Sequence, residues 1–295
     1  DGGLDAEQLQ AVQAVGGPVA VIAGPGAGKT RTLTERIRWL VAEGDVEPAH
    51  IAAVTFTQRA ARQLRQRLDD LLGGNAESIV VGTFHRLALD LMAELTGEPA
   101  STVLDEVEAL GLLRDVLDVA PSKPLRPPAA QRRISRWKAD GLRPFQVAED
   151  PLAVVYAGYE ERLRVCGARD YDDLLLDLVE RLRADADLRH RAATRFSHLL
   201  VDEFQDVNAV QYELVQALSN GGEGLFVIGD PDQAIYGFRG ADPGFFQRLR
   251  QDCRQTTVHY LARNYRSQAG IVDAAGAVIA AGARDPACAD APTAA

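Results

Sequence analysis

The sequence predicts an α/β fold with a parallel sheet, helices on both of its faces, and an all-helical insertion. The first observation is a set of short apolar runs rich in strand-forming residues, at 19–23, 51–56, 79–84, 198–201, 225–229 and 256–261. Such runs are typical of strands buried on both faces of a parallel sheet. The second is helical periodicity at 33–41 and 60–72, between the first three runs. The third is that only helical periodicity, with no convincing strand, is recognisable from 86 to about 195.

The composition is that of an ordinary globular protein, with 295 residues, 46% of them hydrophobic and 25% charged. This length is enough for two structural units. No apolar run approaches the roughly 18 to 20 residues that cross a bilayer, so we expect no membrane association. The three cysteines, Cys166, Cys253 and Cys288, are odd in number and far apart, which fits neither a disulfide framework nor a metal site. We therefore expect a reducing, bacterial-type cytoplasm.

The net charge of −10 argues weakly against a general nucleic-acid binder, because affinity for phosphate backbones comes mainly from Lys and Arg. The charge is not evenly distributed, however. Residues 121–145 have a local net charge of +6, from Lys123, Arg126, Arg132, Arg133, Arg136, Lys138 and Arg143 against Asp140. On composition alone, a solvated helix face and a nucleic-acid track explain this segment equally well.

A glycine-rich loop follows the first apolar run directly. It consists of Gly24, Pro25, Gly26, Ala27, Gly28, Lys29 and Thr30, and it fits the phosphate-loop pattern between a strand and a helix. Glycines let several backbone N–H groups point into one concavity, and the helix N-terminus adds positive potential. We expect Lys29 to reach the β- and γ-phosphates of a nucleotide and the Thr30 hydroxyl to bind Mg²⁺. The sequence therefore predicts a P-loop NTPase.

Acidic and amide side chains follow two later apolar runs. Asp202 and Glu203 come after the run at 198–201, and Gln233 comes shortly after the run at 225–229. We expect Asp202 to hold Mg²⁺, directly or through water, and Glu203 to accept a proton from the attacking water. Gln233 is placed to sense the γ-phosphate. The paired acids favour hydrolysis over transfer to a substrate hydroxyl.

The sequence motifs along the chain resemble, in their order and residue types, those of the UvrD/PcrA/Rep group of superfamily 1 DNA helicases. LDAEQ at 4–8 is similar to the family's Q motif, and the phosphate loop follows. VTFT at 54–57 and GTFH at 82–85 are similar to two DNA-contacting blocks, and YDDLL to a further block. VDEFQD, GDPDQAIYGFRGA and LARNYRS complete the set. The resemblance covers the chain from about residue 4 to 267 and implies a RecA-like fold.

The resemblance also implies ATP and Mg²⁺ as cofactors and assigns more residues to the nucleotide. Gln8 would read the adenine edge, Tyr265 would stack on the adenine, and Arg31 would lie near the nucleotide. Arg266 would act as an arginine finger on the γ-phosphate. The implied catalytic residues are then Lys29, Glu203, Gln233 and Arg266.

Single-stranded DNA and duplex junctions are the partners that the resemblance implies, with repair or recombination proteins as further partners. Phe56, Tyr236 and Phe238 would stack on bases. Polar or phosphate contacts would come from Thr57, Thr83, His85, Arg136, Lys138 and Arg239. Because many relatives carry Trp where this chain has Phe238, we expect weaker stacking there. The basic segment at 121–145 would face the DNA.

The resemblance divides the chain into parts of two domains and an insertion. RecA-like domain 1A would comprise 1–96 and 169–255, helical domain 1B would comprise 97–168, and 256–295 would begin a second RecA-like domain, 2A. In the family, ATP lies between domains 1A and 2A, so the missing part of 2A is expected to complete the site. The residues from Ala274 onward are rich in small side chains, and we expect them to be weakly structured.

These observations favour the N-terminal part of a DNA-dependent ATPase and 3′–5′ DNA helicase that acts in repair or recombination. Two alternatives remain. One is a shortened paralogue without motor activity, in which nucleotide controls DNA or protein contacts. The other is the motor part of a RecB-like or AdnAB-like helicase-nuclease. A P-loop kinase is disfavoured because GDPDQAIYGFRGA has no role in such an enzyme.

Overall fold

The computed structural model describes residues 3–97, 102–120 and 125–281. Its strands are β1 (Val19–Ala23), β2 (Ile51–Thr55), β3 (Val80–Thr83), β4 (Thr102–Val103), β5 (Ala168–Arg169), β6 (His198–Val201), β7 (Leu225–Gly229) and β8 (Thr257–Leu261). Its helices are α1 (Ala6–Gln13), α2 (Lys29–Ala42), α3 (Gln58–Leu72), α4 (Phe84–Thr96), α5 (Glu106–Val119), α6 (Pro127–Ala139), α7 (Ala153–Val165), α8 (Asp173–Ala184), α9 (Ala186–Arg195), α10 (Ala209–Leu218), α11 (Phe245–Asp252) and α12 (Ala269–Ala281). All six predicted strands are present, with ends within one residue of the prediction.

Six strands form one sheet in the order β3-β2-β6-β7-β1-β8, and every neighbouring pair is parallel. This arrangement confirms the predicted fold class. Ile22 near the end of β1 pairs with Gly229 of β7 on one side and Tyr260 of β8 on the other. The loops after β1, β6 and β7 therefore meet at the carboxyl edge of the sheet, where open α/β sheets bind their ligands.

Each face of the sheet is covered by its own set of helices. On one face, α2 and α3 contribute the buried side chains Leu33, Ile37, Leu64 and Leu68. On the other face, α4, α8, α10 and α11 contribute Leu91, Leu176, Leu214 and Leu249. Burial on both faces explains why β1, β2 and β7 are nearly continuous apolar runs rather than alternating ones, whereas the edge strand β8 is only partly buried. The sheet is thus a rigid base for the loops at its edge.

The insertion has an apolar core of its own, formed by α5, α6 and α7. Trp137 and Tyr156 stack at its centre, with ring centroids 5.8 Å apart, and Leu113 and Ile134 pack beside them. Strands β4 and β5 pair in parallel beneath these helices. The expectation of no strand between 86 and 195 is therefore wrong for these two elements, because two-residue strands are too short to give a periodic signal.

Helix α12 contradicts the expectation of a weakly structured tail as far as residue 281. Its many alanines favour a helix without help from packing. Most of the helix is solvent-exposed, including Ile271 (61%) and Val278 (73%). The rest of the predicted tail, 282–295, lies outside the described residues. In the described part of the chain, no helix has both the length and the apolar character needed to span a membrane.

Candidate functional site

The loop from Gly24 to Thr30 joins β1 to α2 at the carboxyl edge of the sheet. Gly26 and Gly28 have φ values of +73° and +86°, which are strained for other residues. A Cβ on Gly28 would lie 2.7 Å from Gln8 Nε2, and one on Gly26 would lie 2.8 Å from Arg266 Cβ. Gln8 and Arg266, two of the predicted nucleotide residues, therefore lie directly against the loop. Helix α2 begins at Lys29, so its free N–H groups are available to an anion.

Lys29 faces the acidic residues that follow β6 and β7. Its Nζ lies 3.7 Å from Glu203 Oε2, a loose contact that leaves the ammonium group available to a further anion. Burial, and then the charge of Glu203, raises the pKa of Asp202 to about 7. Burial also raises the pKa of Asp230 above its ordinary value. Two carboxyl groups with raised pKa values thus lie close to a single lysine. Their negative charge is not fully balanced, which indicates that the site binds a further positively charged group.

The donors here fit a magnesium ion that is shared with phosphates. Among residues 3–97, 102–120 and 125–281 there is no cluster of three or more His, Cys, Asp or Glu side chains that could hold a metal. Mg²⁺ commonly takes only one or two carboxylates and fills its other positions with water and substrate phosphates. The predicted pair, the Thr30 hydroxyl and the Asp202 carboxylate, is such an incomplete set.

Gln205 joins the two acidic segments, although no role of its own is predicted for it from the sequence. It is 2% exposed, its Nε2 donates to Glu203 Oε2 at 2.9 Å, and its Oε1 accepts from the Asp230 backbone N–H at 2.9 Å. The Gln233 side-chain amide in turn donates to the Asp230 carboxylate. Glu203 has left-handed backbone angles, with φ 51° and ψ 46°. A buried amide therefore links the predicted general base to the predicted γ-phosphate sensor.

The segment after β8 packs against the phosphate loop and the start of α1. The Tyr265 backbone N–H donates to the Gly26 carbonyl at 2.9 Å, and the Tyr265 hydroxyl donates to the Asp5 carboxylate. The Asn264 side chain donates to the Pro25 carbonyl. Asn264 and Asp5 lie within sequence blocks that the resemblance quoted, but no role was predicted for them. The half-exposed ring of Tyr265 lies beside the loop, and its stacking on the adenine stays a prediction.

Gln8 and the two predicted arginines also lie beside the loop. Gln8 is buried, its Nε2 donates to the Ala27 carbonyl at 3.0 Å, and its Oε1 accepts from the Asp5 N–H at 3.2 Å. An adenine contact by Gln8 stays a prediction, and each polar end of its side chain makes one hydrogen bond within the protein. Arg266 is exposed next to Gly26, and Arg31 is exposed in the first turn of α2.

Aromatic rings lie along a cleft with a volume of about 540 Å³ between the sheet edge and the insertion. Phe56 and Tyr236 have ring centroids 4.9 Å apart, and Tyr236 and Phe238 are 5.9 Å apart. Phe238 is 72% exposed. On the other side of the cleft, His85 stacks on Tyr171 at 3.9 Å. Tyr171 was not predicted as a site residue. Its exposed position and its stacking on the His85 ring are the features that mark it as part of the cleft.

His85 lies at this cleft as a neutral side chain. Burial lowers its pKa to about 4, even though the nearby Asp170 acts in the opposite direction. It can therefore donate or accept a hydrogen bond at neutral pH, but it cannot neutralise a phosphate.

Two predicted DNA contacts have a second, structural role. The hydroxyl of Thr57 caps the N-terminus of α3 by accepting from the Ala60 N–H. The hydroxyl of Thr83 does the same for α4 by accepting from the Arg86 N–H. Thr83 is also the last residue of β3, and Thr57 lies two residues beyond the end of β2, so each joins a strand of the main sheet to the helix that it caps.

The prediction that Lys138 contacts DNA is wrong. Its side chain is fully buried, and its Nζ pairs with Asp173 at 2.7 Å, Glu160 at 2.7 Å and Asp170 at 2.8 Å. A lysine is tolerated in a protein interior only when it is paired in this way. In sequence it cannot be distinguished from an exposed lysine, because all its partners are at least 20 positions away.

The +6 segment is therefore not a continuous basic surface. Arg143 pairs with Glu160, Asp177 and Glu180. Arg133 pairs with Asp150. Arg136 pairs with Asp140 and also donates to the Gly237 carbonyl. Lys123 and the side chain of Arg239 lie outside the described residues, so the prediction that Arg239 contacts DNA is untested.

Two comparisons with known proteins agree with this geometry. The model of the UvrD/REP helicase N-terminal domain family matches residues 4–254. The ATP-dependent DNA helicase PcrA of Staphylococcus aureus is 35% identical over 289 residues, which cover 94% of this chain and 40% of the relative. PcrA of Staphylococcus epidermidis matches with the same identity and coverage. The chain thus spans about 40% of the length of the curated relatives it matches.

Proposed function

Because the chain belongs to the UvrD/REP helicase family, we propose that it is the ATP-binding part of a DNA-dependent ATPase and 3′–5′ DNA helicase. The observation that carries this proposal is the connected arrangement at the sheet edge. A phosphate loop, a loosely held Lys29 and an acidic pair are joined through Gln205 to the segment that carries the half-buried ring of Tyr236 and the exposed ring of Phe238. A change at the γ-phosphate can thereby alter the surface offered to DNA bases.

In this proposal the residues of the chain divide the work of hydrolysis. Backbone N–H groups of the loop and Lys29 bind the phosphates, and Glu203 accepts the proton of the attacking water. Gln233 distinguishes the triphosphate from the diphosphate. Thr30 and Asp202 hold Mg²⁺, which neutralises charge on the β- and γ-phosphates when bound.

We further propose that a second RecA-like domain completes the site. The exposed positions of Tyr265 and Arg266 beside the loop, and the exposed apolar side chains of α12, support this arrangement. The chain alone should then bind nucleotide and single-stranded DNA weakly, hydrolyse ATP slowly, and fail to unwind duplexes at the rates of a whole helicase. Its proposed setting is the bacterial cytosol, in DNA repair or recombination.

The test of this proposal is the binding of a fluorescently labelled single-stranded oligonucleotide to the chain, with Phe238→Ala as the informative variant. Stacking contributes about 1 to 3 kcal/mol per base, so binding should weaken by about 5- to 150-fold. Phe145→Ala is the matched control, because Phe145 is 77% exposed on the insertion, away from the aromatic rings of the cleft. Equal affinities for the two variants, or no stimulation of ATP hydrolysis by the oligonucleotide, would refute a DNA-dependent ATPase.

A further inference from the structure

Arg136 connects the helical insertion to the turn that carries the aromatic rings of Tyr236 and Phe238. Its Nη1 donates to the backbone carbonyl of Gly237 at 2.7 Å, across 101 positions of sequence. Its Nε donates to the carboxylate of Asp140, the residue directly after the end of α6, at 2.8 Å. Asp140 offsets the positive charge of the guanidinium group and fixes its direction, so that Nη1 points at the turn rather than into solvent.

Helix α6 is held in place without any help from that turn. On its inner side, Lys138 is bound by Asp170 and Asp173, and Ser135 donates to Asp172 at 2.5 Å. Three acidic residues just before and at the start of α8 thus hold the helix against the sheet domain. Arg136 therefore extends from a fixed support.

The turn itself fits closely against this support. Gly240 is buried with φ +90°, and a Cβ there would lie 3.3 Å from Ala139 Cβ and 3.4 Å from Asn208 Cβ. The segment closes through hydrogen bonds from Gly240 N–H to the Gly237 carbonyl and from Ala241 N–H to the Tyr236 carbonyl. The Gly237 carbonyl thus accepts from inside the turn and from Arg136. Loss of Arg136 would remove the side-chain hydrogen bond that ties the Gly237 carbonyl to the insertion.

We propose that Arg136 is a positioning residue that fixes the turn at 236–240, and with it the base-stacking rings of Tyr236 and Phe238, rather than a direct contact to a DNA phosphate. The inference rests on the proposed function for its effect on DNA, whereas the contact with the turn is independent of DNA. It makes the insertion a structural part of the base-stacking surface. The same contact lies only a few residues beyond Gln233, so it also limits how that sensor can move relative to the rings.

The first experiment measures how the affinity for single-stranded DNA depends on salt. A residue that neutralises one phosphate contributes about 0.7 to the slope of log K against log salt concentration. We expect Arg136→Ala to weaken binding by about tenfold, as for the loss of a hydrogen bond to a charged group, with the slope unchanged. Arg136→Lys should resemble the alanine variant, because a lysine cannot make both contacts. A slope reduced by about 0.7, or full rescue by lysine, would identify a phosphate contact and overturn the inference.

The second experiment needs no DNA and measures hydrogen exchange in a peptide covering residues 234–241. Arg136→Ala should make the amides of this peptide exchange faster. The control is Arg248→Ala on α11, because Arg248 pairs with Asp252 at the same spacing of four residues. Unchanged exchange in the Arg136 variant would overturn the inference even if DNA binding persists. Faster exchange in a chain that binds no DNA would refute the proposed function and leave the structural role of Arg136 standing.

Discussion

Two lysines in this chain face groups of carboxylates, and their surroundings differ. Lys138 in the insertion is fully buried and has three carboxylates at 2.7 to 2.8 Å. Lys29 at the sheet edge has one carboxylate at 3.7 Å, and that partner, Glu203, is about one-third exposed. The first lysine has all the partners that it can use, whereas the second has donor capacity left for an incoming anion. Incomplete pairing, more than the presence of charge, distinguishes the candidate active site from a structural ion cluster.

The largest effect is expected from Glu203→Gln, which keeps the shape of the open site but removes its base. A general base commonly contributes 10²- to 10⁴-fold to a rate, so ATP hydrolysis should fall by about that factor. Nucleotide affinity should be retained, because Lys29 and the loop are unchanged. Steady-state hydrolysis and binding of a fluorescent ATP analogue measure the two quantities. Retention of turnover would show that Glu203 does not accept the proton.

A smaller but clear effect is expected on stability when each lysine is replaced by methionine. Removing one partner of a buried ion cluster commonly costs about 3 to 5 kcal/mol, so Lys138→Met should lower the free energy of unfolding by about that amount. Lys29→Met should cost much less, because its partner is loose and partly exposed, but it should weaken nucleotide binding. Urea unfolding at pH 7 measures the free energies. Equal losses for the two variants would contradict the distinction between the fully paired Lys138 and the incompletely paired Lys29.

The pH dependence of the Lys138→Met variant tests the same point. Without Lys138, burial and mutual repulsion would raise the pKa values of Asp170 and Asp173 in the folded state. A carboxyl group whose folded-state pKa is raised binds its proton more tightly when folded, so stability rises as the pH falls. The loss of stability should therefore be smaller at pH 5 than at pH 7. An equal loss of stability at pH 5 and pH 7 would show that removing Lys138 does not raise the pKa values of these two carboxyl groups in the folded state.

The smallest effect concerns His85, which lies between the two regions. Its pKa of about 4 is below the ordinary value of 6.5, so the neutral form is favoured in the folded state. Its contribution to stability is complete above pH 6.5 and is lost as the pH falls towards 4. The ratio of DNA affinities between the protein and its His85→Gln variant should stay constant from pH 8 to 6. An NMR titration of the imidazole gives the pKa directly, and a ratio that grows below pH 6.5 would indicate a charged His85 on DNA.

The fold could be predicted from sequence because its signals are local. Each of the six main strands lies within a short run rich in apolar and strand-forming residues, and the loop at 24–30 lies between a strand and a helix, as a phosphate site requires. The pairing of β4 with β5 could not be predicted, because each strand has only two residues and their partner positions are more than 60 residues apart. The helix at 269–281 was missed because its exposed apolar side chains give no amphipathic pattern.

The candidate site was only partly predictable, for the same physical reason. Lys29, Asp202, Glu203 and Gln233 follow strands whose carboxyl ends meet, so the sequence alone brings them to one edge. Gln205 contacts Asp230, and Tyr171 contacts His85, across 25 and 86 positions of sequence, so neither contact could be predicted from the local pattern. Lys138 was assigned to DNA by its charge, since burial and pairing cannot be read from a residue type.

The sequence by itself determined the sheet, the phosphate loop and the order of the functional segments, because these depend on local hydrophobic pattern and on glycines at fixed positions. The tertiary structure decided which charges are available. It buried Lys138 and paired Arg143, and it turned Arg136 towards the carbonyl of Gly237. The free energy of a charged side chain depends on its desolvation and on partners from other segments, and only the folded chain brings those partners together.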